Sequence, residues 1–170
     1  MCSSDKQFCQ FPKAAFTRLL VLQKGFYDGY PATKVMLKPV TGRRHQLRIH
    51  CSLLGHTIVG DFTYSNGKDV QPYRMFLHSH RLILPTTIET LDVNAGDPFR
   101  RDDPINSKWL PVVTVNAICP NTYEKLDTQF PDVLVGHFDC KVWSVNFLLT
   151  SEPIQRCWSP SEIWRQTAEC

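Results

Sequence analysis

The segment Gly25-Phe26-Tyr27-Asp28-Gly29-Tyr30-Pro31 constrains this chain most, because its Asp-Gly and Pro chemistry turns one apolar run back on another. Before it, Phe16 to Lys24 is rich in aliphatic side chains; after it, Thr33 to Lys38 alternates polar and apolar positions. Together they predict a β-hairpin, with Pro39 ending the second strand because it has no N–H to donate. Thr41 is expected to cap a helix from about Arg43 to Leu54, whose Leu47, His50, Cys51 and Leu54 share one face, with Gly55 as its C′ residue. Thr57 to Asp61 reads as a short apolar turn, and Met75 to Leu84 as a strand that Pro85 ends. The pattern is mixed α+β.

A chain of 170 residues, 42% hydrophobic and 21% charged, is long enough for one globular domain with a core. Its longest uncharged apolar stretch near the end, Val142 to Ser151, is far short of the roughly 20 residues of a helical membrane span, so no membrane is expected. Met1 to Lys6 carries an acid and no apolar stretch, so no signal peptide is expected and the chain reads as intracellular, with the compartment open. The seven Cys contain no C-x-x-C pair and the close neighbours His50-Cys51 and His78 with His80 do not make paired zinc ligands, so no metal is expected.

The net charge of +3 hides an asymmetry. Up to Leu84 there are 12 Lys+Arg against 4 Asp+Glu, a balance of +8; beyond it there are 7 against 12, a balance of -5. Five of the six His lie between Arg43 and His80, beside Arg43, Arg44 and Arg48. Such a cluster points to a polyanion, of which nucleic acid is the commonest. Placing Arg43, Arg44 and Arg48 at the start of a helix opposes the macrodipole, at roughly 0.3–1 kcal/mol for each exposed cation. An anion, carboxylate or phosphate, is therefore expected beside them.

Eight of the 12 Pro and all four Trp follow Leu84, and Asn94 to Lys108 is dense in turn formers. The expected division is a short extension over 1–13, an ordered part over 14–92 and a divergent, loosely organised tail over 93–170. Within that tail, Lys141 to Leu148 alternates as an extra strand would.

Leu37-Lys38-Pro39-Val40-Thr41-Gly42-Arg43-Arg44-His45-Gln46-Leu47-Arg48-Ile49-His50, followed by Leu54-Gly55-His56-Thr57-Ile58-Val59-Gly60-Asp61-Phe62-Thr63-Tyr64, resembles the motif KPxTGRxHQ(I/L)RxH…GHPI(V/L)GDxxY of the RluA-like pseudouridine synthases. Arg74-Met75-Phe76-Leu77-His78 is similar to their later R-x-x-LHA strand. The flanking residues look closest to the branch called RNA pseudouridylate synthase domain-containing proteins. The resemblance spans residues 14 to 86 and implies the C-terminal part of a catalytic domain with a mixed, mainly antiparallel sheet and a flanking helix.

In that family an aspartate attacks a uridine flipped out of tRNA or rRNA, and the base is reattached through carbon without a cofactor. The resemblance makes Arg48 the partner of that aspartate. It makes Arg43 and His45 residues that line the site, and Gln46 and His50 residues that orient their neighbours. Arg44 falls at a variable position and is assigned to RNA phosphate or solvent. Asp61 matches the structural Gly-Asp turn and Tyr64 a packing position. His80-Arg81-Leu82-Ile83 only echoes the catalytic HRLD, since Ile83 stands where the acid would be.

No HRLDxxTSG-like segment occurs in the 170 residues. The chain is therefore expected to be inactive alone, with Arg48 facing an empty socket, and to expose apolar surface as a part of a domain would. Two other readings stay open: a noncatalytic RNA-binding module, and protein interaction through the Trp-bearing tail. Oligomeric state is not legible.

Overall fold

The computed structural model describes residues 14–70, 72–103 and 107–128, and the backbone of 141–149. The expected extension over 1–13 lies outside the described residues, as do 129–140 and 150–170 of the expected tail. The expected hairpin is formed by β1 (Thr17–Tyr27) and β2 (Tyr30–Pro39). Its turn is tighter than the sequence suggested, since Tyr27 pairs with Tyr30 and only Asp28 and Gly29 lie between. Both have positive φ, 51° and 82°. Asp-Gly suits that turn because its twist matches the strands.

The chain continues through α1 (Gln46–Leu53), β3 (Thr57–Ile58), β4 (Leu77–Pro85), β5 (Thr90–Asn94), β6 (Trp109–Thr114), α2 (Pro120–Thr128) and β7 (Lys141–Leu149). The strands make one seven-stranded sheet in the order β5-β4-β7-β2-β1-β6, with β3 also pairing β7. All of these pairings are antiparallel. The expected α+β class with a mainly antiparallel sheet is what is observed.

Of the tail expected to be loosely organised, the described residues 107–128 and 141–149 include regular elements. Its β7 lies between β4 and β2, its β6 pairs with β1, and α2 buries Tyr123 and Leu126. Prolines and turn formers suggested loose organisation, but Pro111 sits in the edge strand β6 and Pro120 opens α2, two places where a missing N–H is tolerated. The alternating run from Lys141 is the strand β7.

The middle of the sheet is covered on both faces. In β2 Lys34, Val35, Met36 and Leu37 are all buried, so the alternation in sequence does not separate core from solvent. On one face α1 reaches Thr17, through Gln46 and His50. On the other, the next residue, Arg18, donates to the carbonyls of Leu126 and Asp127 at 3.2 and 2.7 Å, placing a cation at the C-terminus of α2. Lys38, opposite Arg18 in the hairpin, pairs with the Asp127 carboxylate. Lys34 is buried in a pair with Asp97 and also donates to the Phe99 carbonyl at 3.0 Å. Phe99 stacks on Phe76 with centroids 5.2 Å apart, and Phe76 meets the edge of Tyr27 at 5.1 Å. These contacts anchor the loop after β5 to the core. Exposed apolar side chains gather on β6, where Leu110, Val112 and Val113 lie on the sheet edge.

Candidate active site around Arg48

The motif residues lie between the end of β2 and the first turn of α1. The helix starts three residues later than the sequence suggested. Its N-cap is His45, in the left-handed conformation at φ 58°, and not Thr41. Thr41 is engaged otherwise: its hydroxyl accepts from the Phe16 N–H at 2.9 Å and donates to Gln46 Oε1 at 2.7 Å. Arg43 and Arg44 therefore precede the helix. Only Arg48 stands in the first turn. Gly55 ends the helix at φ 78°, as expected of a C′ glycine, while Leu54 is exposed and not on a buried face.

Gln46 is buried with both ends of its amide engaged. Oε1 accepts from the Thr41 hydroxyl and the Arg43 N–H, and Nε2 donates to the Phe16 carbonyl and the Thr17 hydroxyl. That arrangement ties β1, the loop and α1 together and presents no edge to RNA. Gln46→Leu should cost about 1–3 kcal/mol by stranding these buried groups. The urea midpoint should fall while RNA affinity per folded molecule is kept; the reverse pattern would make Gln46 an RNA contact.

The anion called for by the charge argument is Asp61. Arg48 donates to it twice, Nε to Oδ2 at 2.8 Å and Nη2 to Oδ1 at 2.6 Å. The Asp61 side chain is 0% exposed and that of Arg48 16%. Asp61 thus occupies one edge of the Arg48 guanidinium from within the chain. Asp61 also accepts from the Tyr64 N–H at 3.2 Å, so the Gly-Asp turn is structural, as the resemblance implies. This carboxylate raises the Arg48 pKa further above its ordinary value.

A planar guanidinium has five N–H donors. Asp61 takes two, and a third lies 3.4 Å from His45 Nε2. Among the described residues, one N–H is left on each terminal nitrogen, donors open to a further acceptor. Tyr64 lies against this group: the Arg48 guanidinium carbon is 4.9 Å from its ring centroid, and its hydroxyl is 3.2 Å from His45 Nδ1. Partial desolvation, then the charges of Arg48 and Arg44, lower the His45 pKa, with Asp61 acting against them.

Arg43 reaches the Ala14 carbonyl at 3.4 Å, and Arg44 is exposed and makes no ion pair among the described residues. His50 meets the Thr17 hydroxyl at 2.9 Å, away from the Arg48 cluster. His80-Arg81-Leu82-Ile83 lies in β4, with Arg81 paired to Asp92. Among the described residues no three His, Cys, Asp or Glu side chains are grouped to hold a metal, and no helix is long and apolar enough to cross a membrane. Burial pushes the Cys51 thiol up to about 12.

The sequence reading missed the Arg48–Asp61 pair and the place of Tyr64. A signal for both was present. Asp61 is one of four acids in the basic first 84 residues and follows Ile58-Val59-Gly60, which favours burial beside a cation.

No protein-family model matches the chain. It is 39% identical to the zebrafish RNA pseudouridylate synthase domain-containing protein 1, over 100% of this chain and 53% of that one. The human protein of the same name is 50% identical over 69% of this chain and 38% of its own length. The dual-specificity RNA pseudouridine synthase RluA of Haemophilus influenzae is 46% identical over 40% of this chain and 32% of its own. A solved structure of human RNA pseudouridylate synthase domain containing 1 superposes with a TM-score of 0.67 at 41% identity, covering 77% of this chain and 53% of that one. With the motif and its geometry, these similarities show that the chain belongs to the RluA-like pseudouridine synthase family. Its similarity is to the branch named RNA pseudouridylate synthase domain-containing protein 1, of which it spans about half the length in the zebrafish relative. The zebrafish match runs through the expected tail as well.

Proposed function

We propose that this chain is the arginine-bearing part of an enzyme that isomerises uridine to pseudouridine in tRNA or rRNA, without a cofactor. What supports this most is Arg48, held from one edge by Asp61 and keeping two N–H donors for a second carboxylate. In the family's reaction that carboxylate is the aspartate that attacks the flipped uridine; the glycosidic bond breaks and the base rejoins through carbon. Arg43 and His45 line the site, and Arg44 contacts phosphate. The chain alone does not turn over, because the 170 residues hold no HRLDxxTSG-like segment to supply the nucleophile. That same absence favours a second reading, a noncatalytic RNA-binding fragment or isoform.

The purified chain, incubated with mixed tRNA and rRNA, should form no pseudouridine yet bind RNA in a salt-dependent way. Arg44→Ala should lower the slope of log affinity against log salt by roughly 0.7–0.9, the share of one phosphate contact. Turnover by the chain alone would overturn the assignment of the nucleophile to another polypeptide segment. An unchanged slope would remove Arg44 from the interface.

A further inference from the structure

Arginine only donates hydrogen bonds, so the 3.4 Å contact between Arg48 Nη1 and His45 Nε2 requires a lone pair on Nε2. A neutral imidazole then carries its proton on Nδ1. Nδ1 lies 3.2 Å from Tyr64 Oη, which must accept that proton's hydrogen bond. The phenol therefore keeps its own O–H to donate elsewhere. The ring of Tyr64 stands perpendicular to the imidazole, 6.0 Å between centroids, and beneath the guanidinium. His45 takes up this position with a left-handed backbone, a conformation uncommon for residues other than glycine and a mark of a constrained position. No side-chain cap hydrogen bond is made by His45, although it is the N-cap residue of α1. Its imidazole is turned to Arg48 and Tyr64 instead.

We propose that His45 and Tyr64 are positioning residues for Arg48. The imidazole, held as its Nδ1–H tautomer between Tyr64 Oη and Arg48 Nη1, fixes the guanidinium edge that Asp61 does not hold. The Tyr64 O–H is left as a spare donor for an oxygen bound beside Arg48. The functional part of this rests on the reading of Arg48 as the residue that receives a second carboxylate; the tautomer does not.

The test is long-range proton–nitrogen NMR on the full chain, nitrogen-labelled and at a pH above the His45 titration, with the signal assigned by its loss in His45→Gln. Free imidazole side chains favour the Nε2–H form, so a predominant Nδ1–H form at His45 is the expected and discriminating result. Tyr64→Phe keeps the ring under Arg48 and removes the acceptor, so His45 should shift toward Nε2–H while the Arg48 Nε–H signal held by Asp61 stays. A predominant Nε2–H form in the unmodified chain overturns the proposal without any variant having to fold. So does a tautomer indifferent to Tyr64→Phe. Titrating the unmodified sample with mixed tRNA separates the two readings. The Nδ1–H form without RNA binding would keep the positioning and sink the RNA site; RNA binding with the Nε2–H form would do the opposite.

Discussion

Arg48→Met should destabilise the chain by about 3–5 kcal/mol, because it leaves a fully buried carboxylate without its cation. Among the described residues, Asp61 would keep only the Tyr64 N–H as a donor, at 3.2 Å. The two halves of the pair are not equivalent. Arg48 retains some exposure and a long apolar stem, so after Asp61→Asn its head can reach water. That change should cost less, about 1–3 kcal/mol. Replacing both residues by apolar ones of similar volume should recover much of the loss, since a buried ion pair repays little beyond its own desolvation. Urea unfolding of the three variants checks this. Equal losses from the two single changes would mean that Asp61 is far less isolated from water than its burial implies.

The asymmetry matters for function as well as stability. A guanidinium anchored by a carboxylate from its own chain is oriented before any substrate arrives, and its two remaining donors need no rearrangement to receive another anion. Asp61 thus answers the electrostatic demand of α1 while leaving Arg48 chemically available. The sequence reading correctly required an anion near the arginines, but it assigned the requirement to three residues when the late start of α1 leaves only Arg48 in the first turn. Thr41 looked like a cap because Thr before a helical pattern usually is one. Here the Gln46 amide takes the Thr41 hydroxyl, and the chain needs the intervening Gly42 to His45 to pass from the end of β2 into the helix.

The local signals were the legible ones. Asp28-Gly29 fixed the hairpin turn, Gly55 the helix end and Pro85 the strand end, since each acts through the backbone of its own few residues. Long-range placement was not legible in the same way. Lys34 reads as a solvent-facing residue until Asp97, far along the chain, is seen to pair with it. β5 escaped notice because its Thr90 to Asn94 is exposed throughout, so no face of it is marked by buried apolar residues. The place of β7 between β4 and β2 follows from pairing partners distant in sequence, which no local pattern records.

Gly60→Ala should disable the same site without touching any of its side chains. Gly60 has φ 77°, and a Cβ there would lie 2.6 Å from the Arg74 carbonyl oxygen, a backbone atom that cannot rotate away. The conformation alone costs a non-glycine residue about 1–3 kcal/mol, and the overlap adds about 1–3 kcal/mol. The segment before β4 is held against this turn, with the Phe76 N–H donating to the Val59 carbonyl at 2.8 Å, so neither strand of backbone can yield alone. Whatever relief the turn finds must move its next residue, Asp61, and with it the Arg48 guanidinium. Loss of stability by urea unfolding should therefore be accompanied by a changed Arg48 Nε–H signal and weaker RNA binding in the fraction that remains folded. Gly29→Ala serves as the comparison: it also has positive φ but nothing within 4 Å of its Cβ, so it carries the conformational cost without the overlap and lies away from Arg48. If both variants lose the same stability and keep the same Arg48 signal, the turn at Gly60 does not set the position of Asp61. A greater loss at Gly60 together with an altered Arg48 signal would trace the orientation of the arginine to a glycine that lets two backbone segments meet.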